Sequence, residues 1–223
     1  MRLTDYKWFE AKPSLQKNCE HSLIVRRLGL QDYEPIWNSM RYLAEHPKEG
    51  RGDEIWLLSH KPIFTLGQAA DERNVLDAGD IPVVKIDRGG QVTYHGPGQL
   101  MIYFLLNLRR LGWGPKRLIC ELEEVMINLL SKYGVNAKRR IGAPGIYVQG
   151  KKIASIGLKI KKGHCYHGIS FNIDMDLKPF DGIVTCGIDS LEVTQLKDLE
   201  NISMDKIKQD LVNMLKEHYS QAA

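Results

Sequence analysis

Apolar residues recur every three or four positions in three parts of the chain, which is typical of amphipathic helices. The apolar stripes are Ile36, Met40 and Leu43; Leu118, Leu122, Val125 and Leu129; and Ile207, Leu211 and Met214. The first helix should cover residues 31–45 and end before Pro47, because proline cannot continue a helix. The second should begin at Pro115 and end at Gly134, and Ser203 can cap the third.

Short apolar runs between these helices predict β-strands. They cover residues 55–59, 83–86, 100–106, 145–148, 152–160 and 168–174, and residues 149–151 would form the turn of a hairpin. The run 100–106 shows little alternation, so both faces of that strand should be covered. Helices and strands mix without a regular βαβ alternation, and the expected fold class is α+β with a mixed β-sheet and flanking helices.

Length and composition predict one globular domain over residues 1–223. The N-terminus lacks the apolar core of a signal peptide, and no apolar run reaches the roughly 18 residues that cross a membrane. We therefore expect a cytoplasmic protein without membrane contact, and a monomer by default. The widely spaced cysteines Cys19, Cys120, Cys165 and Cys186 form no zinc-like cluster and should be free thiols.

The net charge is only +4, but lysine and arginine are concentrated between Lys138 and Lys162. The chain has no nucleic-acid-binding motif, so we expect no nucleic-acid partner. Two interpretations of the basic stretch remain open. It is either a face that attracts an acidic protein or an ordinary solvated surface.

The segment 88–99 holds four glycines and a proline between two apolar strands. Glycine lets a backbone approach a ligand closely, Arg88 can bind an anionic group and His95 can handle a proton. The segment lacks the Gly-Lys-Ser/Thr ending of a phosphate-binding P-loop. The alternative is a glycine-rich loop whose turns are only structural.

Three other segments carry candidate chemistry. Cys186 precedes Gly187 after an apolar run and would need nearby positive charge to become a thiolate nucleophile. Lys152 leads into a half-buried strand, where a partly buried amine can act as a base. His167 begins a run of small residues that could line an acyl tunnel. Taken alone, each also fits a structural cysteine, a solvent-exposed turn lysine or a structural histidine.

Together these segments resemble the lipoyl(octanoyl) transferase family of lipoate biosynthesis. The resemblance runs through segments 56–67, 88–99, 142–148, 152–157, 167–172 and 186–187, within residues 20–200. Its most specific part is the string Arg-Gly-Gly-Gln-Val-Thr-Tyr-His-Gly-Pro-Gly-Gln. One departure is Thr185, where the family pattern leads us to expect proline.

The resemblance implies the fold of the biotin and lipoate protein ligase catalytic domain. It implies Cys186 as the nucleophile and Lys152 as its catalytic partner. The substrate-binding residues that it implies are Arg88, Gly89, Gly90, Gln91, Val92, Thr93, Tyr94, His95, Ser155, Ile156, Gly157, Gly168, Ile169 and Ser170.

The reaction that the resemblance implies moves an octanoyl group from acyl carrier protein to a lysine of a lipoyl domain, through a cysteine thioester. No cofactor is expected, because the acyl group arrives on the phosphopantetheine of acyl carrier protein. The expected acceptors are the lipoyl domains of 2-oxoacid dehydrogenase complexes and the glycine cleavage H protein.

Three alternatives to this function remain open. An ATP-dependent lipoate or biotin ligase would need no cysteine nucleophile. A cysteine hydrolase would pair Cys186 with His95 or His167 and release free octanoate. A non-catalytic acyl-binding module would bind acyl carrier protein without becoming acylated.

Overall fold

A computed structural model describes residues 23–48, 50–188 and 191–222, without the side chains of Cys186 and of residues 220–222. The strands are β1 Leu23–Gln31, β2 Asp53–His60, β3 Ile63–Leu66, β4 Val83–Lys85, β5 Val92–His95, β6 Gln99–Asn107, β7 Ala137–Lys138, β8 Gly145–Val148, β9 Lys151–Lys161 and β10 His164–Asn172. The helices are α1 Tyr33–Glu45, α2 Leu108–Leu111, α3 Pro115–Ser131 and α4 Met204–Ala222. The predictions for the N-terminus and Cys19 lie outside the described residues.

A seven-stranded mixed sheet carries most of the structure, in the order β1-β2-β6-β10-β9-β8-β7. Strands β1 and β2 run parallel, and the other neighbouring pairs run antiparallel. The mixed sheet and its flanking helices confirm the predicted α+β class. Strand β6 is buried over most of its length, as its uniformly apolar sequence predicts.

The two faces of this sheet pack against different elements. Helices α3 and α4 cover one face, where Leu118, Leu129 and Leu211 join the largest apolar core. Helix α1 covers part of the other face, with Ile36 and Met40 packed in a second core. The apolar stripes of the predicted helices are therefore the faces that these helices bury.

A second sheet has the order β4-β3-β5. Its strand β5 is linked to β6 of the large sheet by a 2.8 Å hydrogen bond between His95 Nδ1 and Gln99 Oε1. Backbone atoms add a contact at the edge of β9, where the amide of Gly89 donates to the carbonyl of Leu158 at 2.9 Å. These contacts hold the glycine-rich segment against the large sheet.

Several predicted elements are confirmed with changed ends. The first helix begins at Tyr33 rather than at residue 31, because Gln31 ends strand β1. The predicted strand 168–174 is His164–Asn172. Ser203 caps α4, since its Oγ accepts from the amide of Lys206 at 3.3 Å. The hairpin turn is only Gln149 and Gly150, both at positive φ, and Lys151 already belongs to β9.

Strands β1, β3, β5 and β7 and the single turn α2 were not predicted from the sequence. Within the described ranges, no helix is both long and apolar enough to cross a membrane.

Candidate active site

A cavity of about 550 Å³ lies between the large sheet and the glycine-rich segment. Its floor includes β9 and β10, and its far side is formed by the segment that begins at Arg88. Apolar residues from the strands, from α3 and from two loops line part of the wall: Met101, Pro115, Ile119, Ala143, Pro144, Ile156, Leu158, Ile160 and Ile188. The cavity is therefore large and apolar enough to hold a small acyl group.

Most of the predicted binding residues line this cavity. They are Arg88, Gly89, Gly90, Gln91, Val92, Thr93, His95, Ser155, Ile156, Gly157, Gly168 and Ser170. Tyr94 and Ile169 do not line it. Tyr94 packs against Phe64 and Phe180, and Ile169 belongs to the main core.

Lys152 also lines the cavity and is only 2% exposed. Its Nζ donates to the carbonyl of Pro144 at 3.2 Å and lies 5.3 Å from the centre of the Tyr147 ring. Burial rules out the alternative of a solvent-exposed turn lysine. Its backbone is held as well, with the amide donating to the Glu192 carbonyl at 2.8 Å and the carbonyl accepting from Thr194 at 2.9 Å.

Gly145 of strand β8 makes room for this lysine. A Cβ at that position would lie 2.6 Å from Lys152 Cε and 2.7 Å from the carbonyl oxygen of Ala154. The backbone of Gly145 also has a φ of +140°, which side-chain-bearing residues rarely adopt. Its amide donates to the buried carboxylate of Glu123 on α3 at 3.1 Å. The absence of a side chain at Gly145 thus leaves the space that Lys152 occupies in the cavity wall.

The backbone of Cys186 belongs to a short 3₁₀ turn, Thr185–Gly187, and its side chain lies outside the described residues. The turn is fixed beside the cavity. Thr185 is buried, a Cβ on Gly187 would lie 3.3 Å from Gln91 Cδ, and Ile188 lines the cavity. The chain therefore places the backbone of Cys186 next to the cavity that Lys152 lines.

Arg88 is 8% exposed and anchors the glycine-rich segment to the second sheet. Its guanidinium donates to the carbonyl of Thr65 at 2.7 Å and to Thr65 Oγ1 at 2.8 Å. It also lies over Gly157, where an added Cβ would be 2.9 Å from Arg88 Cδ. Arg88 thus shapes the cavity wall, and a glycine on β9 is needed for this contact.

Buried polar residues form the deep end of the cavity. Tyr33, His95, Tyr103 and His167 line it, and each is at most 4% exposed. Behind them, His60 Nε2 is 2.8 Å from Tyr103 Oη. Burial lowers the pKa of His60 to about 4 and that of His95 well below its ordinary value. These two imidazoles are therefore neutral at pH 7.

Asp87 binds three side chains beside the cavity. Its carboxylate accepts from Trp37 Nε1 at 2.7 Å and from His167 Nε2 at 2.9 Å, and also from the Tyr166 hydroxyl. Burial raises the pKa of this carboxyl, but the hydrogen bonds outweigh burial and leave the pKa below its usual value. Burial lowers the pKa of His167. The pair is thus a carboxylate and a neutral imidazole protonated on Nε2.

Several residues of the predicted basic stretch have acidic partners. Lys151 pairs with Glu192, Lys161 with Glu45, and Arg139 with Glu123 and Glu124. Lys152 is buried in the cavity wall rather than on the surface. The stretch is therefore less basic as a surface than its sequence indicates.

Tyr33, His60, Asp87, Tyr103 and Tyr166 were not among the predicted site residues. Asp87 directly precedes Arg88, and Tyr166 directly precedes His167. Their positions next to two candidate segments could have marked them as site residues. Tyr33, His60 and Tyr103 carry no such signal, because only folding brings them to the cavity.

The chain matches the model of the lipoyl protein ligase A/B catalytic domain family over residues 32–216. An octanoyltransferase of Thiobacillus denitrificans is 48% identical over 204 residues, covering 91% of this chain and 94% of that protein. An octanoyltransferase of Xanthomonas campestris pv. campestris is 49% identical, covering 86% of this chain and 83% of that protein. The chain belongs to the lipoyl protein ligase A/B catalytic domain family.

Solved structures show the same fold at low sequence identity. Lipoate-protein ligase A bound with ATP is 16% identical, with a TM-score of 0.71, covering 89% of this chain and 85% of that one. A biotin protein ligase from Aquifex aeolicus is 13% identical, with a TM-score of 0.53, covering 90% and 69%. The predicted likeness to the biotin and lipoate ligase catalytic domain is confirmed.

Proposed function

We propose that this chain is an octanoyltransferase of protein lipoylation that carries the octanoyl group as a thioester on Cys186. The observation that carries the proposal is the identity of 48% and 49% with proteins named octanoyltransferase, over most of both chains. The cavity supports the finer assignment, because a buried lysine and the backbone of Cys186 lie beside a largely apolar space.

In the first step, the Cys186 thiolate attacks the carbonyl carbon of octanoyl-acyl carrier protein. The bond from that carbon to the phosphopantetheine sulfur breaks, and the thiol of the carrier leaves. One thioester replaces another, so the step is near thermoneutral and needs no ATP. The ammonium of Lys152 favours the thiolate by its positive charge.

In the second step, the ε-amine of a lipoyl-domain lysine attacks the acyl-enzyme. An amide forms, and the Cys186 thiolate leaves. The amine attacks in its neutral form and loses one proton as the amide forms. Lys152 accepts this proton, because it gave its own proton to the leaving thiolate of the carrier in the first step. Formation of the amide makes this step favourable.

The partners follow from the same reaction. The donor is acyl carrier protein, and the acceptors are the lipoyl domains of 2-oxoacid dehydrogenase complexes and the glycine cleavage H protein. The protein acts in the cytoplasm as a monomer and needs no further cofactor. A similar fold in an archaeal lipoylation system, which comprises a bi-partite lipoate protein ligase and its E2 lipoyl domain from Thermoplasma acidophilum, supports a lipoyl domain as the acceptor.

A transfer assay tests this function against that of an ATP-dependent ligase. The purified protein is mixed with an apo-lipoyl domain and either octanoyl-acyl carrier protein alone or free octanoate with ATP and magnesium. The mass of the lipoyl domain then reports its octanoylation. We expect modification only from the carrier-bound donor. Modification from free octanoate and ATP, or release of octanoate without transfer, would contradict the proposal.

A further inference from the structure

Small residues form a trough along the floor of the cavity. Ser155 on β9 is the cross-strand partner of Ser170 on β10, and Gly157 is the partner of Gly168. All four residues line the cavity. The trough therefore begins near Lys152 and follows the two strands toward the deep, polar end.

A change of backbone direction closes the trough at His167. Consecutive residues of a strand normally point to opposite faces. His167 instead has a φ of +63°, and its ring stacks on that of Tyr166 with centroids 5.0 Å apart. Both side chains reach the same carboxylate of Asp87. The positive φ thus brings two large rings to one side of β10, directly before Gly168 in the chain.

The three side chains at this end, Asp87, Tyr166 and His167, form what we call the aromatic stop. Trp37 of α1 donates to Asp87 at 2.7 Å and holds it in place. His167 is 1% exposed and lines the cavity, and its Nδ1 is buried without a hydrogen-bond partner among the described residues. The stop is therefore a fixed wall rather than a loose surface side chain.

The strand register gives the length of the trough. His167 is the cross-strand partner of Leu158, which is six residues from Lys152 along β9. Six residues of strand span roughly 20 Å at about 3.3 Å per residue. The side chains of Lys152 and His167 occupy part of that span from its two ends, so the free length is shorter.

An octanoyl chain fits this free length, and a long fatty acyl chain does not. An extended chain advances about 1.25 Å per bond, so the seven carbon–carbon bonds of octanoyl extend no more than about 9 Å. The fifteen bonds of a hexadecanoyl chain would extend to about 19 Å, close to the whole span and longer than its free part. The wall at His167 is thus positioned where it would exclude longer chains.

We propose that the aromatic stop sets the upper limit of acyl-chain length, and that the imidazole of His167 is the group the chain end meets. This inference rests on the proposed function, because it assumes that the acyl carbonyl is held beside Lys152. His167 is then a specificity-determining residue, and Asp87 is a positioning residue that acts through it.

The test is His167→Gly, which removes the ring at a backbone conformation that glycine adopts readily. The measured quantity is the ratio of kcat/KM for decanoyl-acyl carrier protein to kcat/KM for octanoyl-acyl carrier protein. We expect the ratio to rise about tenfold, the factor for burying two further methylene groups. A general loss of stability would lower both rates alike and leave the ratio unchanged.

Two further variants complete the test. His167→Asn also tolerates positive φ but keeps a side chain, so the ratio should rise less than in His167→Gly. His46→Gly makes the same change at an exposed position and should leave the ratio unchanged. If His167→Gly fails to fold, a raised ratio in His167→Asn still supports the inference, and an unchanged one overturns it.

Failure of the inference can be distinguished from failure of the proposed function. If His167→Gly transfers octanoyl and its decanoyl-to-octanoyl ratio of kcat/KM equals that of the unaltered protein, the inference alone is overturned. Absence of octanoyl transfer by the unaltered protein would overturn the proposed function and this inference together.

Discussion

Gly145 and Lys152 lie against each other on neighbouring strands, and a Cβ on the glycine would be 2.6 Å from Cε of the lysine. The buried lysine therefore depends on a residue that has no side chain. Because the backbone of Gly145 also requires positive φ, two independent constraints exclude other residues at this position.

We expect Gly145→Ala to reduce both stability and acyl transfer. Overpacking typically costs about 1–3 kcal/mol, and the displaced lysine would no longer line the cavity in the same way. Gly134→Ala is the matched control, because Gly134 also has positive φ but nothing lies within 4 Å of an added Cβ. Gly134→Ala should lower the free energy of unfolding by about 1 kcal/mol and leave acyl transfer unchanged. Urea unfolding and a transfer assay measure the two effects, and equal losses in both variants would contradict the packing account.

Replacement of Lys152 should separate its chemistry from its packing. Lys152→Met keeps most of the side-chain volume and removes the amine, so transfer should fall by about 100-fold or more, the lower range for loss of a general acid–base group. Lys151→Met is the matched control, since Lys151 is a surface residue paired with Glu192. Its transfer rate should stay within about twofold, as expected for a surface ion pair. Similar rates in both variants would contradict a catalytic role for Lys152.

The buried histidines make stability depend on pH. The folded-state pKa of His60 is about 4, below the ordinary value of 6.5, so the unfolded chain binds more protons between these values. The contribution of neutral His60 to the free energy of unfolding is therefore fully present above pH 6.5, and it is lost as pH falls toward 4. At pH 5, the free energy of unfolding should be about 2 kcal/mol lower than at pH 7.5 because of His60 alone, since each pKa unit corresponds to about 1.36 kcal/mol.

Urea unfolding at pH 7.5 and pH 5 measures this loss. His95 and His167, whose pKa values are also lowered by burial, should add to it with the same sign. His60→Gln should make the free energy of unfolding less dependent on pH, whereas His46→Gln at an exposed position should not. A free energy of unfolding that is equal at both pH values would contradict the account.

If the basic residues between Lys138 and Lys162 that remain exposed attract an acidic acyl carrier protein, the encounter should depend on salt. Lys159→Glu together with Lys161→Glu should raise the KM for octanoyl-acyl carrier protein and weaken its dependence on salt. Lys178→Glu changes the same charge at an exposed position away from the basic stretch and serves as the control. Unchanged kinetics in the double variant would count against docking at this surface. The pairing of Lys161 with Glu45 limits the expected effect.

The sequence predicted the long elements well because their patterns report which face is buried. The stripe from Leu118 to Leu129 is the buried face of α3, and the uniformly apolar run in β6 is covered on both faces. Strand β1 was missed because two arginines and a glycine interrupt its apolar pattern. Strand β3 was also missed, although β8, which has the same length of four residues, was predicted.

The candidate site was predicted only in part, for a similar reason. Residues of the glycine-rich segment are contiguous, so their shared place on the cavity wall follows from one motif. Tyr33, His60 and Tyr103 reach the deep end from three separate elements, and no local pattern marks them. The turn of backbone direction at His167 depends on a positive φ, which the sequence does not indicate for a histidine.

The covalent role of Cys186 is the central claim, and intact mass tests it most directly. The purified protein and its Cys186→Ala variant are each incubated with octanoyl-acyl carrier protein, and their masses are recorded before and after hydroxylamine. We expect the unaltered protein to gain one octanoyl group that hydroxylamine removes, and the variant to gain none. An unaltered protein that transfers octanoyl to a lipoyl domain without ever carrying the group, or a variant that is acylated equally, would contradict the account.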